Sequence, residues 1–395
     1  MRPLTLTATT IVSAMGLGGA ATHAALLARR GGLAPCDFAG IGFGHVGRVA
    51  AVEDHALPAA LSRFDCRNNR LADLALGADG FAAHVAAAVR RHGAGRIGVV
   101  VGTSTSGILS SEEAYLARDP ATGALPATYD FAHTHDMFSL ARFVRAALGL
   151  AGPALVVSTA CASSAKAFAD ARHLIDAGAC DAAVVGGADS LCRLTLNGFA
   201  ALELVSPVAC RPCDAARAGI SIGEAAGFAL LERPARPRAG DVALLGCGAS
   251  SDGYHMSAPH PQGAGALAAM RAALASAGLE AGDIDYVNLH GTGTRANDAT
   301  EDLAVSTLFG DRVACSSTKG WSGHTLGAAG IVEAVIATLS IRHGLLPGCL
   351  NVEAVDPGFR ARVLTRNEHR PVRRVMSNSF GFGGINCSLV FGAAA

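Results

Sequence analysis

Ala154-Leu-Val-Val-Ser158-Thr-Ala-Cys161-Ala-Ser-Ser164 carries a short apolar run straight into a Cys and then into small residues that open a helix. Ala154 to Ser158 is a buried strand by length and by its Val content. Ala165 to Ala177 follows as a helix, and Ala182 to Val185 as the next strand. Upstream, Val99-Val100-Val101 is a similar strand, ending in the turn Gly102-Thr-Ser-Thr-Ser-Gly107. Downstream the theme repeats. Val242 to Leu245 is a strand, and Gly265 to Ala277 is a helix closed by Gly278, a residue suited to a left-handed cap. Ile284 to Leu289 is a strand that stops at His290, Gly327 to Arg342 is an apolar helix, and Val375 to Asn378 begins a final hairpin. Continuous apolar strands separated by helices predict an α/β fold with a parallel-rich sheet covered on both faces.

The chain has 395 residues, which fits two domains or one large duplicated fold. Pro234 to Gly240 is the best junction between halves. Half of the residues are hydrophobic and 16% are charged, so a large core is available. With 32 basic and 32 acidic side chains, no global field favours nucleic acid or a membrane surface. The eleven Cys are scattered in apolar surroundings and read as free thiols of a reducing cytoplasm. Cys210 and Cys213 form one CxxC, but no second ligand pair accompanies it, so no metal is expected. Thr22-His23-Ala24 imitates a signal-peptide cleavage site, yet Leu4 to Val12 alternates like a strand of the mature fold. Gly42-Phe-Gly44-His-Val-Gly47 matches GxGxxG without the strand before it and helix after it that a dinucleotide needs.

Four segments carry candidate chemistry. At Cys161, a helix N-terminus lowers the thiol pKa, and free backbone N–H groups can stabilise an oxyanion. A small core Cys at a helix start fits the same segment equally well. Asn288-Leu-His290-Gly-Thr-Gly-Thr294 puts a His at the end of a strand, facing the crevice where α/β sheets place ligands. Ser317-Thr-Lys319-Gly-Trp-Ser-Gly-His324 sets a Lys and a His in a Gly-rich turn before a helix that contains Glu333. Asn378-Ser-Phe380-Gly-Phe382-Gly-Gly-Ile-Asn386 is a turn whose glycines allow close approach to a ligand, or a plain β-turn.

Taken in order, these segments resemble the β-ketoacyl synthases of the thiolase-like superfamily, over nearly the whole chain. Arg211-Pro-Cys-Asp214, Gly223-Glu-Ala-Ala-Gly227 and Ser251-Asp-Gly-Tyr-His-Met-Ser-Ala-Pro259 add to the match. The pair of His resembles the elongating type. The resemblance implies a five-layered αβαβα architecture of two pseudo-duplicated halves, residues 1–236 with the nucleophilic Cys and 237–395 with the two His. It implies that Cys161 accepts an acyl chain from a carrier-protein thioester, and that the N–H groups of Cys161 and Phe382 form an oxyanion hole. His290 and His324 would stabilise the enolate left when malonyl loses carbon dioxide. Lys319 would organise this network, Glu333 anchor it, and Phe380 and Phe382 support and gate the acyl pocket. No cofactor is implied beyond the phosphopantetheine that arrives on the carrier.

The implied partners are an acyl carrier protein and a second subunit, as a homodimer or as a heterodimer with a chain-length-factor-like paralogue. Arg63, Arg67 and Arg70 match a basic carrier-docking helix, although such a pattern is usually a solvated face. Arg295-Ala-Asn297 stands where the family usually has Pro and Gly before the Asp, Arg217-Ala-Gly-Ile220 replaces Arg-Asp-Gly-Phe, and Ile385 replaces Thr. These departures point to a specialised polyketide or aryl polyene system rather than housekeeping fatty-acid synthesis. A chain-length factor would lack Cys161. A thiolase would need a second catalytic Cys, for which Cys387 is the candidate, and it reads as a core thiol.

Overall fold

The computed structural model describes residues 2–233 and 240–394; the expected junction, Pro234 to Gly240, falls outside them except for Gly240. Ten strands build the main sheet: β1 (Leu4–Ser13), β2 (Ile97–Gly102), β3 (Ala154–Val157), β4 (Ala182–Asp189), β5 (Ala225–Glu232), β6 (Val242–Ser251), β7 (Tyr286–Asn288), β8 (Ala314–Ser316), β9 (Arg374–Gly381) and β10 (Ile385–Ala393). Their spatial order is β8-β7-β9-β10-β6-β1-β5-β4-β2-β3, with the short strand Arg362–Val363 added beside β8 at one edge and Gly16–Leu17 paired to the end of β1. Counted within its own half, each set of five reads 3-2-4-5-1 from the outside inward. The pairing senses repeat as well. Strand 2 is parallel to 3 and 4, and strands 4, 5 and 1 run antiparallel in succession. The halves join where β1 pairs antiparallel with β6. The duplication implied by the sequence is therefore visible as a repeated topology.

Helices lie on both faces, and successive residues along a strand point to opposite ones. Val100 and Val185 enter a central core with Phe168 of α4 (Ser163–Asp176) and Ile331 of α8 (Ala329–His343). Their neighbours Val99 and Val184 enter an outer core with α1 (Arg67–Gly77), α2 (Phe81–His92) and α3 (Ser139–Leu148). In the second half Tyr286 and Val375 face the central core, while Val287 and Met376 face α6 (Ala264–Ala277) and α7 (Arg295–Phe309). This gives helix, half-sheet, helix pair, half-sheet, helix: the thiolase-like layering.

Leu326–His343 is long and apolar enough to cross a membrane, but 83% of it is buried inside the fold, and α8 is the central core helix. Thr22-His23-Ala24 sits within a helix (Gly19–Leu27) that follows β1, in the folded body. Strand β6 runs six residues past Leu245, where the sequence pattern stops. Gly246 and Gly248 are the reason: an added Cβ would come within 2.3 Å of the carbonyl oxygens of Ala273 and Ala269. Helix α6 presses directly on that backbone, so glycine serves packing here rather than a turn.

Candidate active site

The strands of each half end at one seam, and the chemistry collects there. Cys161 follows strand 3 of the first half. Ala160 before it adopts φ 49°, a left-handed conformation costly for a residue with a Cβ. That bend aims Cys161 into a cavity of about 370 Å³ instead of along the sheet. His290 follows strand 2 of the second half, Lys319 and His324 follow its strand 3, and Phe382 follows its strand 4. Cys161, His290, His324, Phe380 and Phe382 all line the cavity. Cys387 does not; it is fully buried in the central core.

Sγ of Cys161 lies 3.0 Å from Nε2 of His324. The rings of His290 and His324 stand 5.3 Å apart at 82°. One nitrogen from each ring and Sγ fall within 4.8 Å of one another. Lys319 Nζ donates to the His290 carbonyl at 2.5 Å and to Glu333 Oε1 at 2.5 Å, and lies 3.3 Å from His290 Nδ1. An ammonium has only donors, so Nδ1 must be the accepting lone pair and the ring proton sits on Nε2. His324 Nδ1 is buried with no partner. An unpaired lone pair is tolerated better than an unpaired N–H, so its proton also belongs on Nε2. Burial, and then the Lys319 charge, hold both rings well below the usual imidazole pKa, so both are neutral at pH 7. Two neutral N–H donors thus meet beside one sulfur. The Cys-His-His group has metal-ligand chemistry, but the buried Lys319 ammonium puts a positive charge beside it and disfavours a cation.

The thiol departs from expectation. Burial pushes Cys161 up to about 11, against the opposing pull of the Lys319 charge and the backbone N–H groups of Phe382 and Cys161. The helix start is present, but depth outweighs it in the resting state. Those N–H groups come from the two sides of the seam and converge at Cys161, an arrangement that can serve as an oxyanion hole. Gly381 makes this possible: a Cβ there would crowd the Thr159 carbonyl at 2.8 Å and the Cys161 N–H at 3.3 Å. Phe382 is half-buried with its ring 5.7 Å from Phe199 of α5 (Arg193–Ala201), and Phe380 lies 6.0 Å from His290. Burial pushes Glu333 up to about 7, with Lys319 pulling it down; Ser379 donates to its other oxygen at 3.4 Å.

Several supporting residues escape a reading of the sequence. Glu301 on α7 accepts from the N–H groups of His290 and Gly291 at 2.8 and 2.7 Å, and from Asn378 at 3.2 Å, fixing the His290 turn. Asp189, at the end of β4, accepts from Thr103, Ser104, Thr105 and the Gly327 N–H. Glu224 is fully buried and bidentate with Arg67 at 2.7 Å.

That last contact corrects the docking expectation. Arg67 faces inward to Glu224 and Glu53 and cannot offer its charge to a carrier. Arg70 is bidentate with Asp65 at 2.5 and 2.7 Å. Arg63 is the exposed member, on a separate 3₁₀ turn (Ala59–Phe64), and pairs with Asp130 at 3.3 Å. Because Arg67→Ala strands the buried Glu224, it should cost about 3–5 kcal/mol of stability, read by chemical denaturation. The two other decoys are also settled by packing. His45–Gly47 within the GxGxxG match is the middle strand of a small sheet, between Leu33–Pro35 and Ile222–Gly223, and Cys210 and Cys213 are buried free thiols, Cys210 donating to the Lys319 carbonyl at 3.2 Å.

Residues 70–236 match the N-terminal domain of the beta-ketoacyl synthase family, and residues 242–353 match its C-terminal domain. The chain is a β-ketoacyl synthase. As a member of that family, of the elongating type, it is a carbon–carbon bond-forming acyltransferase. The synthase is 38% identical over 307 residues to Nodulation protein E of Rhizobium meliloti, with 75% of each chain covered. It is 33% identical over 320 residues to 3-oxoacyl-[acyl-carrier-protein] synthase 2 of Vibrio cholerae serotype O1, with 77% of each covered. Among solved structures it resembles a ketosynthase in complex with its chain length factor from Xenorhabdus doucetiae. That match has 39% identity, a TM-score of 0.89, and 99% of this chain and 98% of that one covered.

Proposed function

We propose that Cys161 takes an acyl group from an acyl carrier protein and joins it to the carbon freed when carrier-bound malonyl loses carbon dioxide. The observation that carries this reading is the Lys319–His290 contact, which turns a second N–H donor toward the sulfur. In loading, Sγ attacks the acyl thioester while the N–H groups of Cys161 and Phe382 hold the oxyanion, and the carrier thiol leaves with the proton. In condensation, the Nε2–H groups of His290 and His324 bind the malonyl thioester oxygen. As carbon dioxide departs, they stabilise the enolate in a site that excludes water. The enolate carbon then attacks the acyl-Cys161 carbonyl and expels the sulfur as a thiolate, which takes a proton from solvent to restore the resting thiol. No resident cofactor is required, since the carrier's phosphopantetheine supplies both thioesters.

The partner reading is a carrier protein and a second, ketosynthase-like subunit, supported by likeness to a ketosynthase that is complexed with its chain length factor. The departures at Arg217–Ile220, Arg295–Asn297 and Ile385 favour a specialised polyketide or aryl polyene system. The eleven free thiols suit a cytoplasmic setting. Intact-mass analysis after mixing with a panel of acyl-carrier proteins tests this reading. One carrier should leave an acyl adduct on Cys161, and malonyl-carrier should then extend the chain by two carbons. Absence of any adduct across the panel would sink the proposal.

Replacing His290 or His324 with Ala should each lower the condensation rate about 10²–10³-fold, the scale of one lost oxyanion donor. Single-turnover assays on pre-acylated protein isolate that step.

A further inference from the structure

Arg295 is the first residue of α7 and stands where the family resemblance breaks down. It is exposed, and it is the sole Lys or Arg that lines the cavity among the described residues. The backbone that reaches it starts at the reaction centre. His290 is 1% exposed, Thr292 6%, Thr294 half-buried, and Arg295 open to solvent. All four line the cavity, so this run forms one wall from the buried imidazoles to the mouth.

The guanidinium at the mouth has no ion-pair partner among the described residues, although carboxylates are near. Asp356, whose field reaches it, is bound to Arg217 at 2.6 Å. Of the acidic residues that line the cavity, Asp252 accepts from Asn386 at 2.8 Å and from the His260 N–H at 3.1 Å. Glu203 is exposed and forms no ion pair with Arg295. An uncommitted guanidinium at the entrance of an otherwise mainly apolar tunnel is a receptor for an entering anion, with a fork suited to phosphate.

We propose that Arg295 binds the phosphate of the phosphopantetheine arm as the arm threads toward His290. This inference rests on the carrier-borne substrate proposed above. It adds a defined contact for the one charged group on an otherwise neutral arm.

The test compares malonyl-phosphopantetheine with malonyl-pantetheine, which differ only in that phosphate, as extender substrates for the pre-acylated enzyme. The wild type should prefer the phosphorylated form about tenfold in kcat/KM, the scale of one charge-assisted contact. In Arg295→Ala that ratio should fall to near one, and Arg295→Lys should retain part of it. The preference should also shrink with added salt. A wild type that uses both compounds equally well, or an Arg295→Ala variant that keeps the preference, overturns the assignment while leaving the condensation reading in place. A wild type that extends with neither compound but does extend with malonyl-carrier overturns the assignment alone, and one that extends with no malonyl thioester, carrier-borne or free, overturns both.

Discussion

Cys161→Ala should give no acyl adduct and no condensed product, a fall of at least about 10⁴-fold, while carbon dioxide is still released from malonyl thioester. The separation follows from the geometry. In the proposed mechanism the enolate is held by the Nε2–H groups of His290 and His324, whose tautomers are set by Lys319 and by the unpartnered Nδ1 of His324. Neither setting depends on the sulfur. The acyl acceptor, in contrast, has no substitute: Cys387 is sealed in the central core and does not line the cavity. Intact mass reads the adduct, and labelled carbon dioxide reads the decarboxylation. Persisting acylation in the variant would overturn the nucleophile assignment. Loss of both activities would show that the sulfur also positions malonyl.

Lys319→Ala should have the second largest effect, and on two scales at once. Lys319 and Glu333 are each 2% exposed and paired at 2.5 Å. Removing the cation leaves Glu333, already pushed up to about 7, without its counter-charge, so it must take up a proton or stay buried and unpaired, and breaking the pair should cost up to about 3–5 kcal/mol. It also frees Nδ1 of His290 to carry the ring proton, which turns a lone pair toward the enolate. A loss of about 10²–10³ in condensation is expected. A double variant separates the two effects. Lys319→Met with Glu333→Gln leaves no unpaired charge and should recover most of the stability, but it should stay slow because the tautomer is still unconstrained. Recovery of activity in the double variant would mean that Lys319 acts only through folding. Denaturation curves and single-turnover rates on the same samples distinguish these results.

The main groups of the candidate site were legible because each is announced by its immediate neighbours. A Cys between a strand and a helix, a His before Gly-Thr-Gly, a Lys five residues before a His and a Phe between glycines need no distant partner to be noticed. The supporting groups depend on contacts that no local pattern encodes. Glu301 looks like one of several acids on a polar helix until the fold brings it under the His290 turn. Arg67 shares a surface-like spacing with Arg63 and Arg70, yet its partner Glu224 lies 157 residues away. The thiol shows the same limit in energetic form. A helix start is visible in sequence, but the depth that pushes Cys161 up to about 11 is a property of the assembled seam. Strand boundaries failed where glycine served packing, as at Gly246 and Gly248.

The repeated 3-2-4-5-1 order gives every working loop of the second half a counterpart in the first. The counterpart of the His290 turn is Thr103 to Gly107, after strand 2, and the counterpart of the Phe382 turn begins at Asp189, after strand 4. These two touch each other: Asp189 gathers Thr103, Ser104 and Thr105, and also the Gly327 N–H at the approach to α8. In the first half the loops after strands 2 and 4 thus form a clasp, while the loop after strand 3 carries Cys161. Matching loops on a repeated scaffold therefore do different work, one half supplying the sulfur and a brace, the other the imidazoles that face it.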